Sequence, residues 1–235
     1  MTKPFVTFGA AHLIAIALAT VMPLALGAAV RRRGSSRIRD AIRLALATEL
    51  IATWVLWYGL IFARGWLSPQ TILPMDLCDW AVIAAIVTLL RPNQATYELT
   101  YFWSLSGTMQ ALLTPELFYG FPDLRFIVFF GFHGGAIAAA VYLTVGLRYR
   151  PVGVSIPRVL GWSIVYLATA LAVNGLFHTN FGYLSAKPAR ASLLDLMAPW
   201  PFYIGEMAAL GVVLVIVLYL PFFVFDRWRG NSAST

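Results

Sequence analysis

Apolar residues along this chain come in long blocks of about twenty, and short stretches rich in charge, glycine and proline separate the blocks. Neither the two-residue alternation of a half-buried strand nor the narrow stripe of a surface helix dominates. Blocks of that length are what a helix needs to cross a bilayer. Seven spans are predicted at about 5–29, 41–63, 74–90, 97–114, 124–147, 157–178 and 201–225. The third and fourth carry the most polar residues. LPMDLCDWAVIAAIVTLL opens with two aspartates, and YELTYFWSLSGTMQALLTP holds Glu98, Ser104, Ser106, Thr108 and Gln110. Both are therefore expected inside the bundle, shielded from lipid by the others. Residues 1–230 read as one transmembrane domain, followed by a short polar tail at 231–235.

Composition agrees with that pattern. Of 235 residues, 60% are hydrophobic and 11% charged, against about 45–50% and about 25% in a soluble domain. The fold class is all-α: a polytopic bundle of seven transmembrane helices. The net charge of +7 is unevenly placed. Arg31, Arg32, Arg33, Arg37, Arg39, Arg43, Arg91, Arg148, Arg150, Arg158, Arg227 and Arg229 fall on one side of the seven-span topology; Lys3, Arg64, Arg125, Lys187 and Arg190 fall on the other. The positive-inside rule puts the N-terminus outside and the C-terminus in the cytoplasm. LALGAA has the small residues of a cleavage site, but its apolar run is long and RRRGSSRIR follows it, so the first run reads as a retained span. The basic excess marks cytoplasmic loops and not nucleic acid. Arginine outnumbers lysine 15 to 2, which suggests a GC-rich bacterial genome and a bacterial cytoplasmic membrane.

Chemistry is bounded just as quickly. A lone cysteine makes no internal disulfide and no thiolate zinc site, and His12, His133 and His178 are too scattered for a metal motif. There is no glycine-rich phosphate loop. No metal and no cofactor is expected. Intramembrane polar residues are costly and tend to mark sites or pathways. His12, Cys78, Asp79, Gln110, His133, Asn174, His178 and Glu206 all fall in the outer half of their spans, whereas Glu49 lies deeper. Interhelical hydrogen bonds, at about 0.6 kcal/mol each, account for any one of them. A cavity open towards the outer leaflet accounts for the set.

Cys78 falls in the first turn of a helix that Pro74 and Asp76 announce, with Asp76 as N-cap. The helix dipole favours a thiolate there, while Asp76 and Asp79 oppose it. A base is then needed. His133, in FFGFHGGAIAAA, is the candidate, because Gly131, Gly134 and Gly135 leave room beside it for a helix or an acyl chain. Cysteine and histidine are the minimal nucleophile and base for acyl transfer through a thioester. The competing reading is an inert buried thiol beside a hydrogen-bonding histidine. Asn174 or Gln110 are candidates for stabilising an oxyanion, and Glu206 or His12 for orienting the imidazole. In HTNFGYLSAKP, the residues His178, Asn180, Tyr183 and Lys187 suit a phosphate head group or an ordinary outer loop. Glu116, where Pro115 ends the fourth helix, is placed to orient His133, to meet a head-group amine, or to face water.

Five segments in order, LPMDLCDWA, YELTYFWSLSGTMQALLTPEL, FFGFHGG, NGLFHTNFGYLSAKP and SLLDLMAPWPFYI, resemble the YwaF-type bacterial integral membrane family, whose larger relatives include eukaryotic transmembrane protein 164. The resemblance runs from about Leu73 to Tyr203. It implies seven transmembrane helices and, from the eukaryotic branch, a cysteine-dependent acyltransferase acting on lysophospholipids, with its cysteine on Cys78 and its intramembrane histidine on His133. The partners so implied are membrane lipids and an acyl donor lipid or acyl-CoA. The alternative function is a non-enzymatic lipid or small-molecule binder or a transporter component, although no internal repeat supports autonomous transport. A retinal protein is disfavoured, since the seventh span has no lysine for a Schiff base.

Overall fold

Every regular element among the described residues, 3–190 and 192–232 of a computed structural model, is helical. Helix α1 (Ala10–Arg33) and helix α2 (Ser36–Arg64) are separated by a two-residue turn, in which Ser35 caps α2 by accepting the Ile38 N–H at 3.3 Å. Gly65, at φ 66°, ends α2 in the left-handed conformation that glycine adopts without steric penalty. The third run is not one helix from residue 74. It begins as α3 (Pro69–Ile72), breaks, and resumes as α4 (Leu77–Leu90). The fourth is α5 (Gln94–Trp103), a π-helical turn over Ser104–Thr108, and α6 (Met109–Leu113). Then come α7 (Leu124–Val145) and α8 (Ser155–Phe177), followed by 3-10 turns at Phe181–Tyr183 and Leu193–Leu196. Finally α9 (Phe202–Ser232) runs well past residue 225, into the stretch expected as a polar tail, whose residues 233–235 lie outside those described.

Among the described residues, six helices are long and apolar enough to cross a membrane, the third of them being α3 and α4 taken together. The fourth run is long enough, at about 1.5 Å per residue, but too polar to qualify alone. It is interior, as its polarity implies: Tyr97, Phe102 and Thr100 are fully buried and Glu98 is 1% exposed. The chain therefore folds as a multi-pass membrane bundle. The centre of that bundle is α7, the most buried of the six apolar spans; α4 buries Ala81, Val82, Ala84, Ala85 and Leu89 and presents Ile83 and Val87 outwards. Polarity did not single out α7, because α7 gains its central place from small residues. Ala136, Ala139 and Ala140 are fully buried, and its glycines let two helices come close. A Cβ on Gly134 would stand 3.1 Å from the Cβ of Ala19 in α1; one on Gly131 would meet Thr53 Oγ1 at 3.0 Å and Glu49 Oε1 at 3.2 Å in α2. At Gly135 a Cβ would run into Glu49 Oε2 and sit 2.7 Å from Leu50 Cδ2. Gly135→Ala should therefore cost about 1–3 kcal/mol by overpacking, read as a lower Tm in detergent, while Gly161→Ala, which faces open space, leaves Tm unchanged or higher.

The basic loops gather at one end. Arg43 donates to the carbonyls of Leu89 and Leu90, Gln94 Nε2 to Arg150 O at 2.9 Å, and Arg150 pairs with Asp226. Buried Glu98 accepts from Ser155 Oγ at 2.7 Å and from Arg158 Nη1 at 3.3 Å. At the other end the N-terminal segment pairs with residues 118–120 through Phe5 N–H to Phe118 O (3.1 Å) and Gly120 N–H to Lys3 O (2.8 Å). By the positive-inside rule the first end is the cytoplasmic one.

Candidate functional site

A cavity of about 680 Å³ opens at the end opposite the basic loops. Its deep wall is apolar: Val128, Phe129 and Phe132 of α7 face Met207, Leu210 and Leu214 of α9. Its upper wall is charged, with Asp76, Asp79, Glu116, Arg125 and Arg190. Cys78 and His133 both line it, as do Gln110, Asp79 and Tyr183.

Local structure explains how Cys78 reaches this wall. The break before Leu77 makes Cys78 the second residue of α4, where backbone N–H groups have no carbonyl one turn back. Asp79 Oδ2 reaches back to accept the Asp76 N–H at 2.9 Å, and Asp76 Oδ1 accepts the Gly182 N–H at 2.8 Å. The helix start is thus tied both to itself and to the loop after α8. Across from it, the π turn bulges towards α4, and a Cβ on Gly107 would stand 2.9 Å from Leu77 Cδ2. That close approach brings the buried Thr108 hydroxyl beside the thiol. π bulges within α-helices are frequent at functional sites. The small, polar run SLSGT was the only trace of this one in the sequence.

His133 is held by its own helix. Its Nδ1 lies 2.8 Å from Phe129 O, and its ring stacks on Phe129 with centroids 4.2 Å apart. A carbonyl only accepts, so Nδ1 carries the proton and Nε2 of the neutral ring presents a lone pair. His12 has the opposite arrangement. The Phe8 N–H donates to its Nδ1 at 2.8 Å, so Nε2–H donates to Leu112 O, also at 2.8 Å. Packed against Phe5, Phe8 and Phe130 and 1% exposed, it ties α1 to the end of α6. It does not line the cavity and does not orient His133.

Other expected site residues are also engaged elsewhere. Asn174 donates to Phe181 O at 3.0 Å and accepts from the Phe181 N–H and from Thr179 Oγ1, each at 2.8 Å, so it clamps the loop and has no place at an oxyanion. Glu206 accepts the Ala198 N–H at 2.9 Å on the exposed face of α9. His178 is the exposed left-handed residue that ends α8. Asn180 bonds to Ser185 and Ala186, and Lys187 Nζ donates to Met197 O at 2.9 Å. Of the four expected head-group residues only Tyr183 lines the cavity; its hydroxyl donates to Glu116 Oε2 at 2.8 Å. Burial, with the Glu116 carboxylate next, raises the Tyr183 pKa, so the phenol stays a donor across physiological pH.

Glu116 also accepts the Ala189 N–H on Oε1 at 2.8 Å. With Asp76 on Gly182 and Glu206 on Ala198, three carboxylates from three different parts of the chain fasten the loop that roofs the cavity. Glu116→Ala should loosen that roof, and faster backbone hydrogen exchange across residues 183–190 is the expected readout.

The cations sequence reasoning missed are Arg125 and Arg190. Arg125 forms a two-pronged pair with Asp123, Nε to Oδ1 and Nη2 to Oδ2 at 2.8 Å each, and lies over the Tyr119 ring. The Arg125 hydrogen bond lowers the Asp123 pKa to about 2. Because that is below the unfolded value of about 3.9, the pair's stabilisation is fully present above about pH 4 and is lost as pH falls towards 2. Arg125 should therefore keep its position from pH 5 to 8. Arg190 donates to Leu117 O and faces the rings of Phe5 and Phe118. Nothing local in the sequence links Arg190 to the α6–α7 connection 73 residues earlier.

These features define a polytopic α-helical membrane protein with one large amphiphilic cavity, apolar in its depth and charged at its rim. The chain belongs to the TMEM164 family, whose model matches residues 7–219 and so takes in the first two helices as well as the five segments that carried the resemblance. An uncharacterized protein from Treponema pallidum (strain Nichols) is 28% identical over 230 residues, covering 94% of this chain and 91% of that one. No solved structure matches.

Proposed function

We propose that the protein is an intramembrane lipid acyltransferase with Cys78 as nucleophile and His133 as general base, working in the outer leaflet of a bacterial cytoplasmic membrane. The observation that carries this is one cavity lined by both residues, shaped for a lipid: apolar walls for an acyl chain below, and Arg125 and Arg190 for a phosphate above. His133 Nε2 takes the thiol proton as Sγ attacks the ester carbonyl carbon of a donor lipid. The ester C–O bond breaks and the leaving lyso-lipid oxygen takes that proton. A second lyso-lipid hydroxyl then gives its proton to Nε2 and attacks the thioester, the C–S bond breaks, and sulfur is reprotonated. The acyl group moves from one alcohol to another with no net redox change. With water as acceptor the same steps give a hydrolase. Gln110, which lines the same cavity, is the proposed donor to the oxyanion.

The test is reconstitution in nanodiscs with a phospholipid labelled in its acyl chain and an unlabelled lysophospholipid, followed by lipid mass spectrometry. Label in the former lyso species is expected. Lipid retained but never turned over would instead make the protein a binder. Arg190→Ala should raise KM about 10- to 100-fold, the worth of a charge-assisted hydrogen bond, and leave kcat within a few-fold.

A further inference from the structure

Thr20, Thr88, Thr100, Thr144 and Thr169 each donate their hydroxyl to the carbonyl four residues earlier in their own helix, at 2.7–2.8 Å. That bond satisfies a hydroxyl where water is absent. Thr108, 0% exposed, departs from the pattern. In the π turn the Ser104 carbonyl accepts the Met109 N–H, five residues on, so the register no longer presents that oxygen to residue 108. The Thr108 hydroxyl lies instead beside the Cys78 thiol, where the close approach of Gly107 to Leu77 brings the π turn against the start of α4. A buried hydroxyl that gives up its helix carbonyl is costly unless another atom accepts from it.

Sulfur becomes a strong acceptor when it loses its proton. Asp76 and Asp79 stand on its own helix, Tyr166 of α8 and Tyr183 of the loop after α8 face it, and His133 lines the same cavity. The cations of that cavity are held at its rim, Arg125 by Asp123 and Arg190 by Leu117 O. Two carboxylates therefore oppose a thiolate here, and the free N–H groups of the first turn favour it. We propose that the Thr108 hydroxyl donates to Cys78 Sγ and is a third catalytic residue, stabilising the sulfur anion that forms when His133 Nε2 takes the thiol proton. The inference rests on the acyl-transfer reading above. The hydroxyl keeps its own proton throughout. It donates to the anion as Sγ attacks the ester, loses most of that bond in the uncharged thioester, and regains it when the C–S bond breaks and the electron pair returns to sulfur.

Cys78 is the only cysteine in the chain, so its alkylation by iodoacetamide reads thiolate formation without background and without lipid turnover. Rates followed by intact-protein mass spectrometry between about pH 6 and pH 10 test the proposal on the detergent-purified parent, Thr108→Val and Thr108→Ser. Valine keeps the shape and loses the hydroxyl, serine keeps the hydroxyl, and Thr108→Ala is the second hydroxyl-free variant. At about pH 8, Thr108→Val should be alkylated about 10- to 100-fold more slowly, with its profile displaced to higher pH, and its kcat should fall by a similar factor with KM within a few-fold. Thr108→Ser should restore both towards the parent. A merely structural role would lower Tm and leave the pH profile in place. The two readings fail separately: alkylation that responds to Thr108 in a protein that turns over no lipid keeps the hydrogen bond and removes the acyltransferase, whereas acyl transfer by folded Thr108→Val or Thr108→Ala at the parent's rate and pH profile overturns the proposal. A parent thiol that is alkylated at no pH in the range, or a Thr108→Ser protein as slow as Thr108→Val, would overturn it too.

Discussion

Cys78→Ser should lower acyl transfer by about three orders of magnitude or more, as removal of a nucleophile does elsewhere. Serine is close to cysteine in size, so the first turn of α4, its Asp76 and Asp79 contacts and the approach of Gly107 are kept. A hydroxyl in this position is a far poorer nucleophile than a thiol, and one histidine without a buried carboxylate partner does little to improve it. Lipid co-purification should be unchanged. Together the two readouts separate a chemical role from a packing role: loss of turnover with retained lipid identifies the nucleophile, whereas loss of both identifies a damaged cavity.

The second large effect is at His133. Replacing it with glutamine removes the only imidazole lining the cavity, and a missing general base costs about 10²- to 10⁴-fold. Because Nδ1 is held by Phe129 O in the helix's own preceding turn, the substitution disturbs α7 little, and Tm should fall by only a few degrees. Single-turnover measurements divide the loss. Both formation and breakdown of the thioester should slow, since Nε2 handles a proton in each half. A defect confined to one half would mean that another group serves the other.

How far the sequence leads depends on the kind of signal each feature leaves. Long apolar blocks and arginine-rich loops made the membrane bundle and its two ends legible, because lipid demands both locally. Cys78 and His133 could be singled out too, since a thiol at a helix start and a histidine among glycines are both unusual inside a bilayer, and both line the cavity. The partners of the other polar residues could not. His12, Asn174 and Glu206 share the depth of the cavity, yet His12 bonds to Leu112 one hundred residues away, and the other two hold the loop after α8. Depth along a helix is fixed by sequence, whereas the direction a residue faces depends on which helices pack together. The same limit hid Arg190. The break between α3 and α4 was half visible: Pro74 and Asp76 announced a helix start, but not the short capped helix before it.

The most direct test of the central claim is intact-protein mass spectrometry of the purified parent and of Cys78→Ser after incubation with phospholipid donors. The expected result is a mass increase of one acyl group on the parent alone, reversed by hydroxylamine and chased by added lysophospholipid. An adduct of equal yield on Cys78→Ser, or none on a parent that nonetheless transfers acyl groups, would contradict a thioester at Cys78.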